Sequence, residues 1–211
     1  MKKLFLFDFD GTIVTEDILD VVCDIVGKKE ESWLINEKVH NGELTGLQPL
    51  CDRINFLHGV SYEQIKEKLD EENYLRKGTV QLFEYLRAND FVTVLASGNI
   101  MTVLRYYKEL LGIDYIFGSS PKMNGDVIDS ITPADFSGRN FKYDSCREVI
   151  KNLGVQESEI YAIGDSLHDI KMLSLAGPGH RFAINPKGNV EAYADVVLDE
   201  DISEVIKYLE N

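Results

Sequence analysis

Three short polar clusters in this sequence could do chemistry together. They are Asp8-Phe9-Asp10-Gly11-Thr12, then Ser97-Gly98-Asn99, then Gly164-Asp165-Ser166 with Asp169 shortly after. Each follows an apolar run, at residues 4–7, 91–96 and 160–163. Such runs read as strands buried on both faces, the pattern of parallel sheets. Ligands of an open α/β sheet bind outside the carboxyl ends of its strands. The four aspartates Asp8, Asp10, Asp165 and Asp169 are therefore expected to crowd into one crevice. Two carboxylates ~4 Å apart repel by ~4 kcal/mol at an effective dielectric of ~20. Four require a cation or shifted pKa values, and an all-oxygen site suits Mg²⁺ better than zinc. Taken singly, each cluster has an ordinary explanation, because an aspartate at a strand end commonly caps a turn or a helix. Three such clusters, one of them a paired D-x-D, outweigh it.

The elements that must position these residues alternate. Shorter strand signals stand at 182–184 and 196–198, and helical patterns at 80–88, 100–111, 143–153, 169–176 and 202–209. Alternating strands and helices predict an α/β fold with a doubly wound, mostly parallel sheet. Asn124-Gly125 within 122–128 is a hairpin turn signal. Residues 15–76 break the alternation. They hold helical patterns at 16–26, 30–40, 47–57 and 62–69, and no strand. The expected organisation is a core of 1–14 and 77–211 with a helical insertion, 15–76, after the first strand. That insertion carries 14 acidic and 7 basic residues, so half of the chain's net charge of −14 lies in under a third of its 211 residues.

Composition narrows the function. Hydrophobic residues make up 44% and charged residues 27%, as in an ordinary globular protein. The acidic balance disfavours nucleic acid and anionic membrane surfaces as partners. No apolar run approaches the ~20 residues that span a bilayer. The opening apolar run stops at Asp8, too short for a secretory leader. Cys23, Cys51 and Cys146 form neither a CxxC pair nor a disulfide framework, so reduced thiols and a cytoplasmic location are expected. Other motifs fail. A calcium loop counted from Asp8 would place Thr12 and Ile13 where a ligand and glycine belong. Gly177-Pro178-Gly179 lacks the third glycine of a dinucleotide fingerprint. Neither a Walker A sequence nor a G-x-S-x-G elbow occurs.

These motifs, in this order, resemble the haloacid dehalogenase superfamily, specifically its phosphoserine-phosphatase-like branch. Asp8-Phe9-Asp10-Gly11-Thr12 is similar to the first motif, Ser97 to the second, Lys142 to the third, and Gly164-Asp165-Ser166-Leu167-His168-Asp169 to the fourth. The resemblance covers essentially the whole chain and implies a Rossmann-like core with a helical cap. It implies that Asp8 is the nucleophile that forms an aspartyl-phosphate. Asp10 would protonate the leaving alcohol and then activate water, while Ser97 and Lys142 would hold phosphate oxygens. Mg²⁺ would sit on the Asp8 carboxylate, the Asp10 backbone carbonyl and Asp165, supported by Asp169. Lys142 competes with a plainer role as a solvated lysine before a helix.

The resemblance also implies where a small phosphorylated metabolite is read. Glu16 or Asp17 would take a substrate amino group and Arg53 its carboxylate, because an arginine fork suits a carboxylate. Gly98, Asn99 and His168 complete the expected substrate-binding set. Acids in the first turn of a helix are favoured anyway, and Arg53 could instead pair with an acidic neighbour. The D-F-D-G-T, Ser97-Gly98-Asn99 and G-D-S variants, with His168, depart from the usual phosphoserine phosphatase pattern. They look more like the branch acting on a methionine-salvage enol phosphate. Three other readings stay open: a phosphotransferase to a second alcohol, a non-catalytic phospho-receiver and an inactive scaffold. A monomer or a homodimer is expected.

Overall fold

The computed structural model describes residues 2–138 and 140–209. Six strands form one parallel sheet: β1 (Lys3–Phe7), β2 (Phe91–Ile100), β3 (Tyr115–Ser119), β6 (Ile160–Gly164), β7 (Arg181–Ile184) and β8 (Val196–Leu198). Their order is β3-β2-β1-β6-β7-β8, with β1 at the centre. A separate antiparallel hairpin, β4 (Lys122–Asn124) and β5 (Val127–Ser130), turns at Gly125 as the Asn-Gly signal requires. The sheet is the doubly wound one that the sequence predicts.

The buried runs explain why the sheet is covered on both faces. Successive strand residues point to opposite sides. Phe5 and Phe7 join one apolar cluster, and Leu4 and Leu6 join another. Over the first face lie α5 (Thr79–Ala88) and α6 (Met101–Leu111), through Leu82, Phe83, Leu86, Val103 and Tyr107. Over the second lie α7 (Phe141–Leu153) and the single turn α8 (Ile170–Leu173), through Cys146, Val149, Met172 and Leu173. A final short helix, α9 (Ile206–Leu209), follows a 3-10 turn at Ile202–Val205 and closes the first face.

Four helices stand between β1 and α5: α1 (Ile18–Cys23), α2 (Lys29–His40), α3 (Gln48–Asn55) and α4 (Tyr62–Asp70). The chain leaves and re-enters the sheet layer through two segments that lie side by side. Thr15 N–H donates to the Tyr74 carbonyl at 3.0 Å and Arg76 N–H to the Ile13 carbonyl at 2.8 Å. No helix among the described residues is long and apolar enough to cross a membrane.

The structure departs from the sequence expectation in two places. The edge strand β3 had no clear signal, because Tyr115-Ile116-Phe117 is short and directly follows a helix C-cap at Gly112. The helices expected at 169–176 and 202–209 are each a 3-10 turn followed by one α-turn. In the first, Asp169 and Ser166 form a capping box at the start of the 3-10 turn, and the α-turn that follows ends at Leu173.

Candidate active site

β1, β2 and β6 end side by side, and the three clusters meet there. Asp8 follows β1 directly, and its backbone N–H extends the ladder to the Ile163 carbonyl at 3.1 Å. Its side chain is buried and accepts from Thr12 Oγ1 at 2.9 Å and from Lys142 Nζ at 2.5 Å. Lys142 stands in the first turn of α7 and also reaches Asp169 Oδ1 at 3.0 Å. The other Asp169 oxygen accepts from the Ser166 N–H and hydroxyl, both at 3.1 Å, and from Asp165 N–H at 3.3 Å. Asp169 is fully buried and therefore fixed from both sides. Lys122, in the β4–β5 hairpin, faces Asp135 instead.

One oxygen from each of Asp8, Asp165 and Asp169 lies within 4.8 Å of the others. Gly11 makes room for this arrangement. Its φ of +81° suits glycine, and a Cβ there would stand 2.1 Å from Asp165 Oδ2. Beneath the same loop, the buried Arg76 guanidinium donates to the Gly11 and Thr12 carbonyls at 2.6 and 2.9 Å. Sequence reading gave Arg76 no role, since nothing in a linear pattern marks a side chain that reaches back 65 residues.

Asp10 faces away from that cluster. Its carboxyl accepts from Ile18 N–H at 2.8 Å, from Asn99 Nδ2 at 3.2 Å and from Ser97 Oγ at 3.3 Å. Ser97 and Asn99 lie in the last part of β2, where its register with β3 shifts between Ala96 and Ile100. Gly98 lies between them, and its carbonyl accepts from Ser119 Oγ at 2.6 Å.

The electrostatics follow from burial. Desolvation raises the Asp8 pKa to about 7, Asp169 adds to the rise and Lys142 opposes it. Burial, followed by the charge of Asp17, holds the Asp10 pKa well above the carboxylate range. Asp165 is raised by burial, against the pull of Lys187. Burial alone would lower the Lys142 pKa, but Asp169 and Asp8 outweigh it and keep the ammonium charged.

A cavity of about 450 Å³ opens over these groups. Asp8, Asp10, Glu16, Asp17, Arg53, Ser97, Gly98, Asn99, Lys142, Asp165 and His168 all line it, while Asp169 lies beneath its floor. The helical segment supplies the far wall. There Arg53 is buried and already engaged. Its Nη2 donates to Asp17 at 2.6 Å and to Asp20 at 2.9 Å, and its Nε donates to Ser32 Oγ at 2.9 Å. Asp17 also caps α1 and accepts from Asn36 Nδ2 at 2.8 Å. Glu16 and His168 are exposed at the rim. His40, which ligand spacing did not single out, ends α2 on the cavity wall. Lys187 also lines the cavity. It follows the carboxyl end of β7, so the strand-end rule that found the other residues applies to it equally.

The donor chemistry fits a hard cation. Three clustered carboxylates offer oxygen ligands only, and the two lysines that reach them leave the cluster net negative.

Comparison with known proteins agrees with this geometry. Residues 5–174 match the model of the haloacid dehalogenase-like hydrolase family. The phosphoserine phosphatase of Methanocaldococcus jannaschii is 28% identical over 214 residues, covering 99% of this chain and 98% of that protein. A substrate-bound phosphoserine phosphatase complex superposes with a TM-score of 0.83 at 26% identity, over 99% of this chain and 98% of the other. A phospho-aspartyl intermediate analogue of phosphoserine phosphatase superposes with a TM-score of 0.82 at 25% identity, over 98% of both chains.

Proposed function

The chain belongs to the haloacid dehalogenase-like hydrolase family, and on that premise we propose that it is a phosphatase that hydrolyses a small phosphomonoester through an aspartyl-phosphate on Asp8. The observation that carries this reading is the split environment of the two motif aspartates. Asp8 sits against Lys142 and Thr12, and Asp10 sits in a neutral cradle of Ser97, Asn99 and a backbone amide. Two carboxyl groups with different surroundings take different roles. Asp8, in the ionised form that Lys142 favours, attacks phosphorus, and the ester P–O bond breaks as the Asp8 O–P bond forms. Asp10, kept protonated by burial, gives its proton to the departing alcohol oxygen. Asp10 then takes a proton from water as that water attacks phosphorus and the Asp8 O–P bond breaks. Inorganic phosphate leaves, and both aspartates return to their starting state.

Asp8, Asp165 and Asp169, with the Asp10 backbone carbonyl, would hold Mg²⁺, which when bound supplies positive charge to the phosphoryl oxygens and the nucleophile. Lys142 and Ser97 would orient the remaining phosphate oxygens. Holding an in-line geometry in a site that excludes water accounts for much of the acceleration in such reactions.

For the substrate, the reading favours an L-phosphoserine-like molecule. Asp17 and Arg53 face each other on the cavity wall as a partly buried ion pair. An ammonium and a carboxylate on one substrate can exchange with that pair, each charge meeting its opposite. Residues 15–76 would act as the cap over a core of 1–14 and 77–211, and closure over the substrate would exclude water. Phosphate release from L-phosphoserine and a panel of other phosphomonoesters, with and without Mg²⁺, tests this. Mg²⁺-dependent release that favours phosphoserine is expected. Release from other esters with none from phosphoserine would remove the amino-acid reading, and no release at all would remove the hydrolase reading.

A further inference from the structure

The loop after β7 carries a lysine that the mechanism above does not use. Around it the backbone is strained. Asn185, Gly188 and Asn189 have φ of 41°, 62° and 69°, so two of the three non-glycine residues with positive φ among the described residues flank Lys187. L-residues seldom adopt that region unless the surroundings impose it. Here the loop closes on Asp165 twice. Lys187 N–H donates to the Asp165 carbonyl at 2.7 Å, and Lys187 Nζ contacts Asp165 Oδ2 at 2.9 Å. The ammonium also lies 3.2 Å from where a Cβ on Gly11 would stand, and so directly over the nucleophile loop.

The two lysines of the site are not equivalent. Lys142 is clamped between Asp8 and Asp169, with only 18% of its side chain exposed. Lys187 holds one carboxylate, Asp165, and 56% of its side chain is exposed. It lines both the reaction cavity and an adjoining cleft of about 930 Å³ bordered by Trp33 and Leu167. A lysine head on a flexible stem can leave such a contact at low cost.

We propose that Lys187 is the resident counter-cation of Asp165. It holds that carboxylate until a divalent ion takes it, and then turns into the cavity to meet an anionic substrate. The proposal rests on the divalent-ion reading given above. An ammonium and a metal ion compete for the same Asp165 carboxylate, so removing the ammonium must strengthen metal binding. Once released, the same charge favours the incoming phosphomonoester, and ion and substrate binding become coupled through one positioning residue.

Calorimetric titration of Mg²⁺ alone into wild type, K187M and K187R, without substrate, tests this. K187M is expected to bind Mg²⁺ about three- to tenfold more tightly, since a half-exposed ion pair no longer opposes it. K187R, which keeps the charge, is expected to stay within about twofold of wild type. With Mg²⁺ saturating, K187M is expected to raise KM while kcat holds. Thermal unfolding in EDTA checks that the variant folds, and K187Q replaces it if K187M does not. Wild type that binds Mg²⁺ while K187M binds no more tightly overturns the role of Lys187 alone. Wild type that binds no Mg²⁺ overturns the divalent-ion reading and this proposal with it.

Discussion

The floor of the cavity and its far wall are built by different means. The floor is made at the ends of β1, β2 and β6, where backbone register fixes Asp8, Ser97 and Asp165 before any side chain chooses a partner. The wall is made by α1, α2 and α3, where Asp17, Asp20, Ser32 and Asn36 hold Arg53 and one another mainly through side chains. The floor carries the proposed chemistry, and the wall touches it at Asp10, through the Ile18 amide and the charge of Asp17. Substitutions on the floor should stop turnover for every substrate. Substitutions on the wall should change which substrate is preferred.

The largest effect is expected at Asp8. D8N should lower phosphate release at least about 10⁴-fold for every ester, as removal of a nucleophile does elsewhere. Steady-state release with several substrates measures it, and a D8N enzyme that kept activity on any one of them would break the distinction. D10N should cost about 10²- to 10⁴-fold, the usual worth of a general acid–base. The loss should shrink for esters whose alcohols leave without a proton, such as nitrophenol, and equal losses across leaving groups would remove Asp10 from proton transfer.

The wall gives smaller and more selective effects. R53K keeps a charge against Asp17 and Asp20 but loses the fork. It should raise KM for L-phosphoserine roughly tenfold, about the worth of one charge-assisted hydrogen bond, and leave a simple aryl phosphate within about twofold. Full truncation is a poorer probe, because an uncompensated buried pair costs about 3–5 kcal/mol of stability. Equal KM changes on both substrates would show that Arg53 only braces the wall.

The smallest effect is in stability. Asp8 takes up protons in the folded state up to a pKa of about 7, well above its ordinary value of 3.8. The folded protein thus binds more protons than the unfolded chain between those values, and stability falls as pH rises through that window. In EDTA, the Tm of wild type should decline between about pH 4 and pH 7 more steeply than that of D8N. Parallel curves would mean that Asp8 is not strained by burial.

The same contrast explains what could be read in the sequence. Asp8, Asp10, Ser97, Asp165 and Asp169 were legible because buried strands are continuous apolar runs, and such sheets bind ligands at strand ends. Lys187 obeyed the same rule but stood after a run of only three apolar residues, 182–184. Arg53 was legible as a cation in an acidic segment, yet its bonds to Asp17 and Asp20 span 36 and 33 residues and have no periodic signature. Arg76 is the same case within the floor. β3 escaped because a five-residue edge strand with exposed Tyr115 carries little apolar signal. What a backbone pattern fixes can be read from one chain, and what side chains settle across helices cannot.

In the proposed mechanism the phosphoryl group passes to Asp8 before it reaches water. The direct test is an acid quench of wild type during a single turnover with a ³²P-labelled phosphomonoester and Mg²⁺, followed by peptide mapping. An alkali-labile label on the peptide holding Asp8, absent from D8N, is the predicted result. Phosphate release with no labelled peptide, or with the label on another residue, would contradict it.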